Sequence, residues 1–389
     1  MGWCKGLKKK IVVLLLCVFW LLSAVIPAWG QELETEAASA ILMDANSGNI
    51  LFAKDPNTPR PPASMTKIMT LLLAVEGLET GKVNLQDQVL ISENTRNIVG
   101  TQVWLEPGEV WPLEQLLIAI AVASANDACI AVAEHIAGSE QKFVEMMNQR
   151  AREIGMKDTN FVNSHGLPVE NHYMSAYDTA ILCRTALNCP KLLEFTSIYE
   201  YPQFRPDPRP LDLWNTNKLL VWYDGVDGFK TGWTEEAGYC LAATAKRDGL
   251  RLISVVMNCQ AANGHFSETI ELFQHGFANY ISERVISRGQ VFELLPVNKG
   301  KEQEVPIMAA TDLYITLRKG QIEFETKVNL DCDALTAPVE AGYKCGEAQI
   351  WQEGNMIGKV DLVTAASVAK SNPILNSWYL FRNWFRFSR

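Results

Sequence analysis

Pro61-Pro62-Ala63-Ser64-Met65-Thr66-Lys67-Ile68-Met69-Thr70-Leu71-Leu72-Leu73-Ala74-Val75 decides how this chain folds. The two prolines break the chain before it. From Ser64 the apolar positions Ile68, Leu71, Leu72 and Val75 recur at helical spacing. Residues i and i+3 of a helix share a face, so Lys67 stands beside the Ser64 hydroxyl. An aliphatic helix of this kind is buried, an odd place for an incidental lysine. The plain alternative is that Ser64 caps the helix and Lys67 reaches solvent.

Upstream, Ala40–Met43 and Ile50–Ala53 flank Asn46-Ser47-Gly48 and predict a β-hairpin. Downstream, the spacing predicts helices over Leu113–Ala123, Asp127–Ala137 and Gln141–Ile154, the last ending at Gly155. A Pro-rich stretch, Tyr201–Pro210, precedes strands at Leu241–Ala245 and Leu252–Asn258, joined by Arg247-Asp248-Gly249. A further helix is expected over Ser267–Tyr280. Near Ile286 the texture changes to short β runs: Val291–Leu294, Leu313–Leu317 and Ile322–Phe324. Arg318-Lys319-Gly320 and Glu353-Gly354-Asn355 supply turns, which predicts a separate all-β domain of about 80 residues.

The 389 residues exceed one ordinary domain, and 48% apolar with 20% charged residues excludes a disordered chain. The net charge of −9 argues against nucleic acid as a partner. Five histidines without HExxH or His/Cys ligand spacing give no support for a metal site. Lys5 and Lys8–Lys10, the apolar run Ile11–Ile26 and Ala28-Trp29-Gly30 form the three parts of a secretory signal cut before Gln31. The alternative is an uncleaved membrane anchor, for which the apolar run falls short of the roughly 20 residues of a membrane span. Removal of Cys4 and Cys17 leaves seven cysteines. Cys129, Cys183, Cys240 and Cys259 lie in apolar stretches and read as buried thiols, and Cys189 stands at a helix end before Pro190. Only Cys332 and Cys345 are considered for a bridge. In the tail, Ile374, Trp378, Phe381 and Phe385 share one helical stripe beside Arg382, Arg386 and Arg389. This is the pattern of a helix lying in a membrane interface, and the plain alternative is a terminal helix docked on the protein.

Two further motifs complete the set opened by Ser64-Met65-Thr66-Lys67. Ser124-Ala125-Asn126 lies between two helices, and Lys230-Thr231-Gly232 precedes the strands. Each arises by chance in many chains; together and in this order they are specific. A serine needs a base, and Lys67 serves as one only if burial or a second cation lowers its pKa. Lys230 supplies that second charge and attracts a substrate carboxylate. Ser124 can relay a proton to the leaving amine, Asn126 can hold a peptide-like substrate, and Thr231 adds a hydroxyl. The N–H groups of Ser64 and Trp233 are expected to form the oxyanion hole.

These residues, with Ala40–Gly48, Ser124–Cys129, Thr159–Leu167 and Asp227–Gly232, resemble the low-molecular-mass penicillin-binding proteins, the D-alanyl-D-alanine carboxypeptidases. Leu335–Gly346 resembles that family's C-terminal β domain. The resemblance covers nearly the whole mature chain. It implies an α/β (α+β) catalytic domain with an antiparallel sheet flanked by helices and an inserted helical subdomain, then a small all-β domain. The expected boundaries are 1–30 (signal peptide), 31–285 (catalytic), 286–370 (β-rich) and 371–389 (amphipathic anchor). The implied reaction is removal of the terminal D-alanine from peptidoglycan pentapeptides through an acyl-serine, without cofactor, on the outer face of the cytoplasmic membrane. The expected catalytic residues are Ser64, Lys67 and Ser124; the expected substrate-binding residues are Asn126, Lys230, Thr231, Gly232, Trp233 and His265. β-Lactam antibiotics are the implied inhibitors. His265 stands where the family commonly has an arginine, and a histidine is cationic only part of the time. His165 matches the family's His-Gly-Leu segment as an orienting loop residue. Two rivals are a β-lactamase-like hydrolase and a non-catalytic penicillin- or peptidoglycan-binding protein. No Glu-x-x-Leu-Asn segment for the first lies between Ser124 and Lys230, and no motif residue is lost as the second would lead one to expect.

Overall fold

The structure, a computed structural model, describes residues 33–205, 209–321 and 323–371. The signal segment 1–30 and the tail from residue 372 onward lie outside the described residues.

Strand β1 (Ser39–Asp44) is buried along its whole length. It runs antiparallel to β2 (Ile50–Lys54), with Ile41 opposite Ala53 and Leu42 opposite Phe52. This is the expected hairpin, turned at Gly48 with φ +81°. A single 3-10 turn, Ala63–Thr66, then leads into α1 (Lys67–Glu79), so Ser64 sits just before the α-helix. Every residue of α1 from Lys67 to Val75 is buried.

β3 (Gln88–Leu90) pairs with β4 (Val110–Pro112). The helix expected over Leu113–Ala123 is α-helical only as α2 (Leu113–Ile118). It continues as a π turn, Ala119–Ala123, and stops at Ser124 in the left-handed conformation, φ 65° and ψ 32°. π turns cluster at functional sites, and here the widened turn delivers Ser124 to the cleft. α3 (Asn126–Ala137) and α4 (Glu140–Glu153) match the expected spacing; the Ser139 hydroxyl caps α4 at the Lys142 N–H.

Three helices, the last a short one, escaped the sequence reading. α5 (Ala176–Ala186) is capped by the Ser175 hydroxyl at the Asp178 N–H. It is packed on several sides through Ala, Thr and Cys, so it shows no clear apolar stripe. α6 (Pro190–Thr196) starts with proline in the first turn after Cys189, a common helix opening. Of the Pro-rich stretch Tyr201–Pro210, Tyr201–Arg205 belongs to β5 (Glu200–Arg205), which pairs with β6 (Leu211–Trp214). Pro202 is tolerated because this ribbon has only two strands, both edges. A short helix, α7 (Leu219–Trp222), follows.

β7 (Val226–Thr234), β8 (Gly238–Arg247) and β9 (Leu250–Cys259) complete an antiparallel sheet in the order β2-β1-β9-β8-β7. β7 therefore lies at the edge. Helices α5 and α8 (Gly264–Asn279) pack on β9. α8 comes so close that a Cβ on Gly276 would stand 2.5 Å from Leu252 Cδ1.

The β region starts directly after α8. β10 (Tyr280–Ile286) pairs with β13 (Leu313–Arg318). A six-stranded sheet runs β14-β16-β17-β12-β11-β15. Its strands are β11 (Val291–Asn298), β12 (Glu304–Ala309), β14 (Glu325–Leu330), β15 (Leu335–Thr336), β16 (Lys344–Gln352) and β17 (Asn355–Thr364). Ile307, Ile315, Ile350 and Leu362 are buried at its core. The strand expected at Ile322–Phe324 is absent: Glu323 and Phe324 are irregular, and Ile322 lies outside the described residues. Gly320 precedes them at φ +89°, and the next strand begins only at Glu325. Cys332 and Cys345 are free thiols, as are Cys129, Cys183, Cys189, Cys240 and Cys259. Thr316 on β13 reaches back to the hairpin, donating to Asp44 Oδ2 at 2.6 Å.

Candidate active site

The nucleophile candidate is presented by a distorted turn. Ala63 is left-handed at φ 46°, which turns Ser64 out of the Pro61-Pro62 segment and into the cleft. Gly166, at φ +91°, lies against this turn, and a Cβ there would stand 1.9 Å from the Ala63 carbonyl oxygen. Gly232 of β7 approaches from another side. Its Cβ would meet Pro62 O at 2.9 Å and Ser64 N at 3.1 Å. Only glycine lets the backbone of β7 pass this close to the Ser64 N–H.

Lys67 is completely buried. Its Nζ lies 2.9 Å from Ser64 Oγ, 2.7 Å from Asn126 Oδ1 and 2.6 Å from the His165 carbonyl oxygen. Two of these partners can only accept. A neutral amine donates its two protons to them and turns its lone pair toward Ser64. Burial pulls the Lys67 pKa down to about 8, against weak opposition from Cys129 and Asp127. Lys230, also buried, is lowered by burial and by the charge of Lys67. Its Nζ has only long contacts, 3.3 Å to Thr216 Oγ1 and 3.4 Å to Thr231 O. That leaves Lys230 able to take a substrate anion, which would in turn hold it protonated.

Asn126 works first on the protein. Besides Lys67, its Nδ2 donates to Val99 O at 2.7 Å, and its backbone N–H donates to Thr101 O at 2.8 Å. One amide proton remains for a ligand. The next residue, Asp127, accepts from Val103 N–H and Leu105 N–H and so ties down the loop that holds Asn126. Burial raises the Asp127 pKa. Ser124 lies at the cleft in its left-handed cap, and its hydroxyl has no hydrogen-bond partner among the described residues.

Thr231 Oγ1 pairs with Thr216 Oγ1 at 2.5 Å. Sequence reasoning missed Thr216. Asn215 and Asn217 anchor it, the first donating to Ile198 O and the second to Gly228 O. The alternation Asn215-Thr216-Asn217 before a helix was the available signal. Trp233 is exposed and leans on Tyr239, ring centroids 6.0 Å apart. His265 stacks on the same Tyr239 at 5.3 Å and makes no hydrogen bond to Ser64, Lys67 or Lys230. Burial, helped by Lys218, takes its pKa down to about 4, so it is a neutral ring rather than an intermittent cation.

His165 and His172 are neutral as well. Burial and Lys67 hold them at about 3 and about 4. Leu167 N–H donates to His165 Nδ1, and Val162 N–H donates to His172 Nδ1, leaving His172 Nε2 to donate to Thr66 Oγ1 at 2.8 Å. Both rings brace the loop that presents the His165 carbonyl to Lys67. Among the described residues no group of three His, Cys, Asp or Glu side chains converges as metal ligands would.

Residues 27–261 match the family described as D-alanyl-D-alanine carboxypeptidase, and residues 280–370 match the C-terminal domain of penicillin-binding protein 5. A D-alanyl-D-alanine carboxypeptidase of Bacillus subtilis, DacF, is 36% identical over 92% of this chain and 92% of its own length. DacA of Haemophilus influenzae is 35% identical, covering 88% of each chain. The solved penicillin-binding protein 5 of Haemophilus influenzae superposes with a TM-score of 0.80 at 33% identity, over 87% of this chain and 99% of that one. Penicillin-binding protein D2 of Listeria monocytogenes, solved with ampicillin bound, has a TM-score of 0.57 at 29% identity over 63% of this chain and 99% of its own. The matches run along most of the chain, which belongs to the D-alanyl-D-alanine carboxypeptidase family of low-molecular-mass penicillin-binding proteins.

Proposed function

We propose that the protein is a serine-type carboxypeptidase removing the terminal D-alanine from peptidoglycan stem pentapeptides. The observation that carries this reading is Lys67 Nζ, held 2.9 Å from Ser64 Oγ by two groups that can only accept. Lys67 takes the Ser64 proton, and Oγ attacks the carbonyl of the penultimate D-alanine. The N–H groups of Ser64 and Trp233 receive the developing oxyanion. Ser124 passes the proton to the leaving amine, the C–N bond breaks, and D-alanine departs. A water that gives its proton to Lys67 then cleaves the ester, and Ser64 recovers its hydrogen. Lys230, Thr231 and Thr216 bind the terminal carboxylate, Asn126 steadies the substrate amide, and Gly232 leaves room for both. His265 supports this wall through Tyr239. A β-lactam amide enters the same path and acylates Ser64.

The chain is read as exported by segment 1–30, with a catalytic domain at 31–285 and a β-rich domain at 286–370. The tail 371–389 is read as attaching it to the outer face of the cytoplasmic membrane. The N-terminal charge and apolar pattern and the aromatic, arginine-flanked stripe of the tail support this. No helix among the described residues is long and apolar enough to cross a membrane.

Mass spectrometry of penicillin-treated protein tests the reading. One adduct is expected on the peptide containing Ser64, with D-alanine released from a pentapeptide. Ser64→Ala is expected to give neither. An adduct elsewhere overturns the nucleophile, and rapid turnover of penicillin without D-alanine release favours the β-lactamase.

A further inference from the structure

A cavity of about 650 Å³ lies where the β1–β2 hairpin turns. The turn residues Asn46 and Gly48, helix α5 and Tyr314 of β13 line it, so both halves of the chain contribute. None of the residues assigned above to catalysis or substrate binding is among its walls. No aspartate or glutamate is among them either, in a chain of net charge −9.

Arg184 of α5 organises this cavity. A guanidinium presents two forked edges, Nε with Nη2 and Nη1 with Nη2. The first is taken: Nε donates to Ala45 O at 2.8 Å and Nη2 to Asn46 O at 3.0 Å. Both partners are neutral carbonyls, and no carboxylate pairs with Arg184 among the described residues. Its orientation is fixed while its charge stays uncompensated. Gly48, at φ +81°, lets the hairpin lie against the guanidinium, since a Cβ there would stand 3.0 Å from Cζ and Nη1. The second edge is left for a ligand. Arg251, the other cation of the wall, is matched by Asp227 through two bonds of 2.8 Å and adds no free charge. Asp44, in the same hairpin, turns its oxygens to the Asn46 N–H, Ser47 and Thr316.

The remaining polar groups of the wall are donors too. The hydroxyls of Tyr177 and Tyr314 and the side-chain amide of Asn188 have no hydrogen-bond partner among the described residues. A fixed guanidinium fork, two hydroxyls and an amide offer more donors than the two oxygens of a carboxylate use well, and they suit the three terminal oxygens of a phosphate. Ile181, Leu187 and Leu193 make the rest of the wall aliphatic, and the space is that of an organic ligand rather than a bare ion.

We propose that this cavity is a binding site for a phosphate ester, with the phosphate on Arg184 and the two tyrosine hydroxyls and the organic part against the aliphatic wall. Isothermal titration calorimetry of the full chain tests it with phenyl phosphate, inorganic phosphate and benzoate. Phenyl phosphate is expected to bind about fivefold more tightly than either of the others, which lack the apolar part or the third oxygen. Arg184→Gln is expected to weaken phenyl phosphate about tenfold, through loss of the charged fork. That change also releases the hairpin carbonyls, so Tyr177→Phe/Tyr314→Phe is measured beside it. The tyrosine variant keeps the Arg184 clamp and is expected to melt like the parent while binding about fivefold more weakly. No binding to the parent, benzoate binding as tightly as phenyl phosphate, or affinity unchanged in both variants overturns the site. Phosphatidylglycerol vesicles and sn-glycerol 3-phosphate then separate the sources of the ester. Weaker vesicle binding by the tyrosine variant places the phosphate on a lipid. Unchanged vesicle binding, with weaker glycerol phosphate binding, places it on a soluble or polymer-borne ester.

Discussion

The two halves of this chain spend their interiors differently. In the catalytic half, Lys67, Lys230 and Asp127 are buried along with Ser164, His165 and His172. Beyond Thr269, Thr364 is the only buried polar residue among the described residues, and Ile307, Ile315, Ile350 and Leu362 fill the space instead. Buried charge is expensive unless partnered, so a fold keeps it where chemistry requires it. The β region follows ordinary packing rules; the first half is organised around two lysines whose charge it suppresses.

The sharpest way to break that contrast is to keep the charge and remove the titration. Lys67→Arg is expected to reduce penicillin acylation and D-alanine release by about 10³-fold or more, because arginine cannot deliver a lone pair at neutral pH. On the proposed mechanism the neutral form of Lys67 is the active one. Acylation should therefore rise with pH and level off above about 8. Neither His165 nor His172 is expected to add an inflection near 6.5, since burial keeps them neutral down to about 3 and about 4. Loss of the Lys230 cation, at about 7 before a substrate anion binds, is expected to weaken carboxylate binding as pH rises. Lys230→Arg keeps a cation for the carboxylate and should retain more activity than Lys67→Arg. Stopped-flow acylation across pH measures all three, and equal losses in the two variants would end the division of roles.

Next in size is backbone geometry. Gly166→Ala forces a Cβ to 1.9 Å from the Ala63 carbonyl oxygen at φ +91°. It is expected to destabilise by about 3 kcal/mol and to displace Ser64. Denaturant unfolding and acylation rates should therefore fall together. In the β region, Ile350→Ala leaves a cavity worth about 2–5 kcal/mol. Acylation by the fraction that remains folded should not change. A drop in that rate would mean that the two interiors are coupled.

The sequence shows some of this contrast plainly. Hairpins and motifs are legible because local rules dictate them. Gly48 turns β1 into β2, Arg247-Asp248-Gly249 turns β8 into β9, and Ser64 and Lys67 are one helical turn apart. Contacts made across sequence are not legible. The His165 carbonyl reaches Lys67 over 98 residues, and Thr216 meets Thr231 over 15. Asn126 illustrates the limit: its type suggested substrate binding, yet its Oδ1 is engaged by Lys67. Helix α5 was missed because small residues bury it on several sides, which removes the periodic signal.

The smallest expected effect lies where the halves meet. Thr316 Oγ1 donates to Asp44 Oδ2 at 2.6 Å, and Ser47 Oγ lies 2.6 Å from Thr316 Oγ1 and 3.0 Å from the same carboxylate oxygen. Two hydroxyl protons thus serve three contacts. Thr316→Val keeps the shape and removes one donor. Ser47 can then give its proton wholly to Asp44, whose other oxygen still accepts from the Asn46 N–H. The buried carboxylate is left partly satisfied rather than stranded, so the loss is expected to be about 1 kcal/mol rather than the larger value for an orphaned group. Thermal unfolding reads this as a small fall in Tm, with acylation unchanged. Ser47→Ala/Thr316→Val removes both hydroxyls and should lose more than the two single changes together, because neither can then cover for the other. An additive result would show that Ser47 does not take over. A fall in acylation beyond about twofold, near 0.4 kcal/mol on the scale where tenfold is 1.4, would show that the β region steers the site it packs behind.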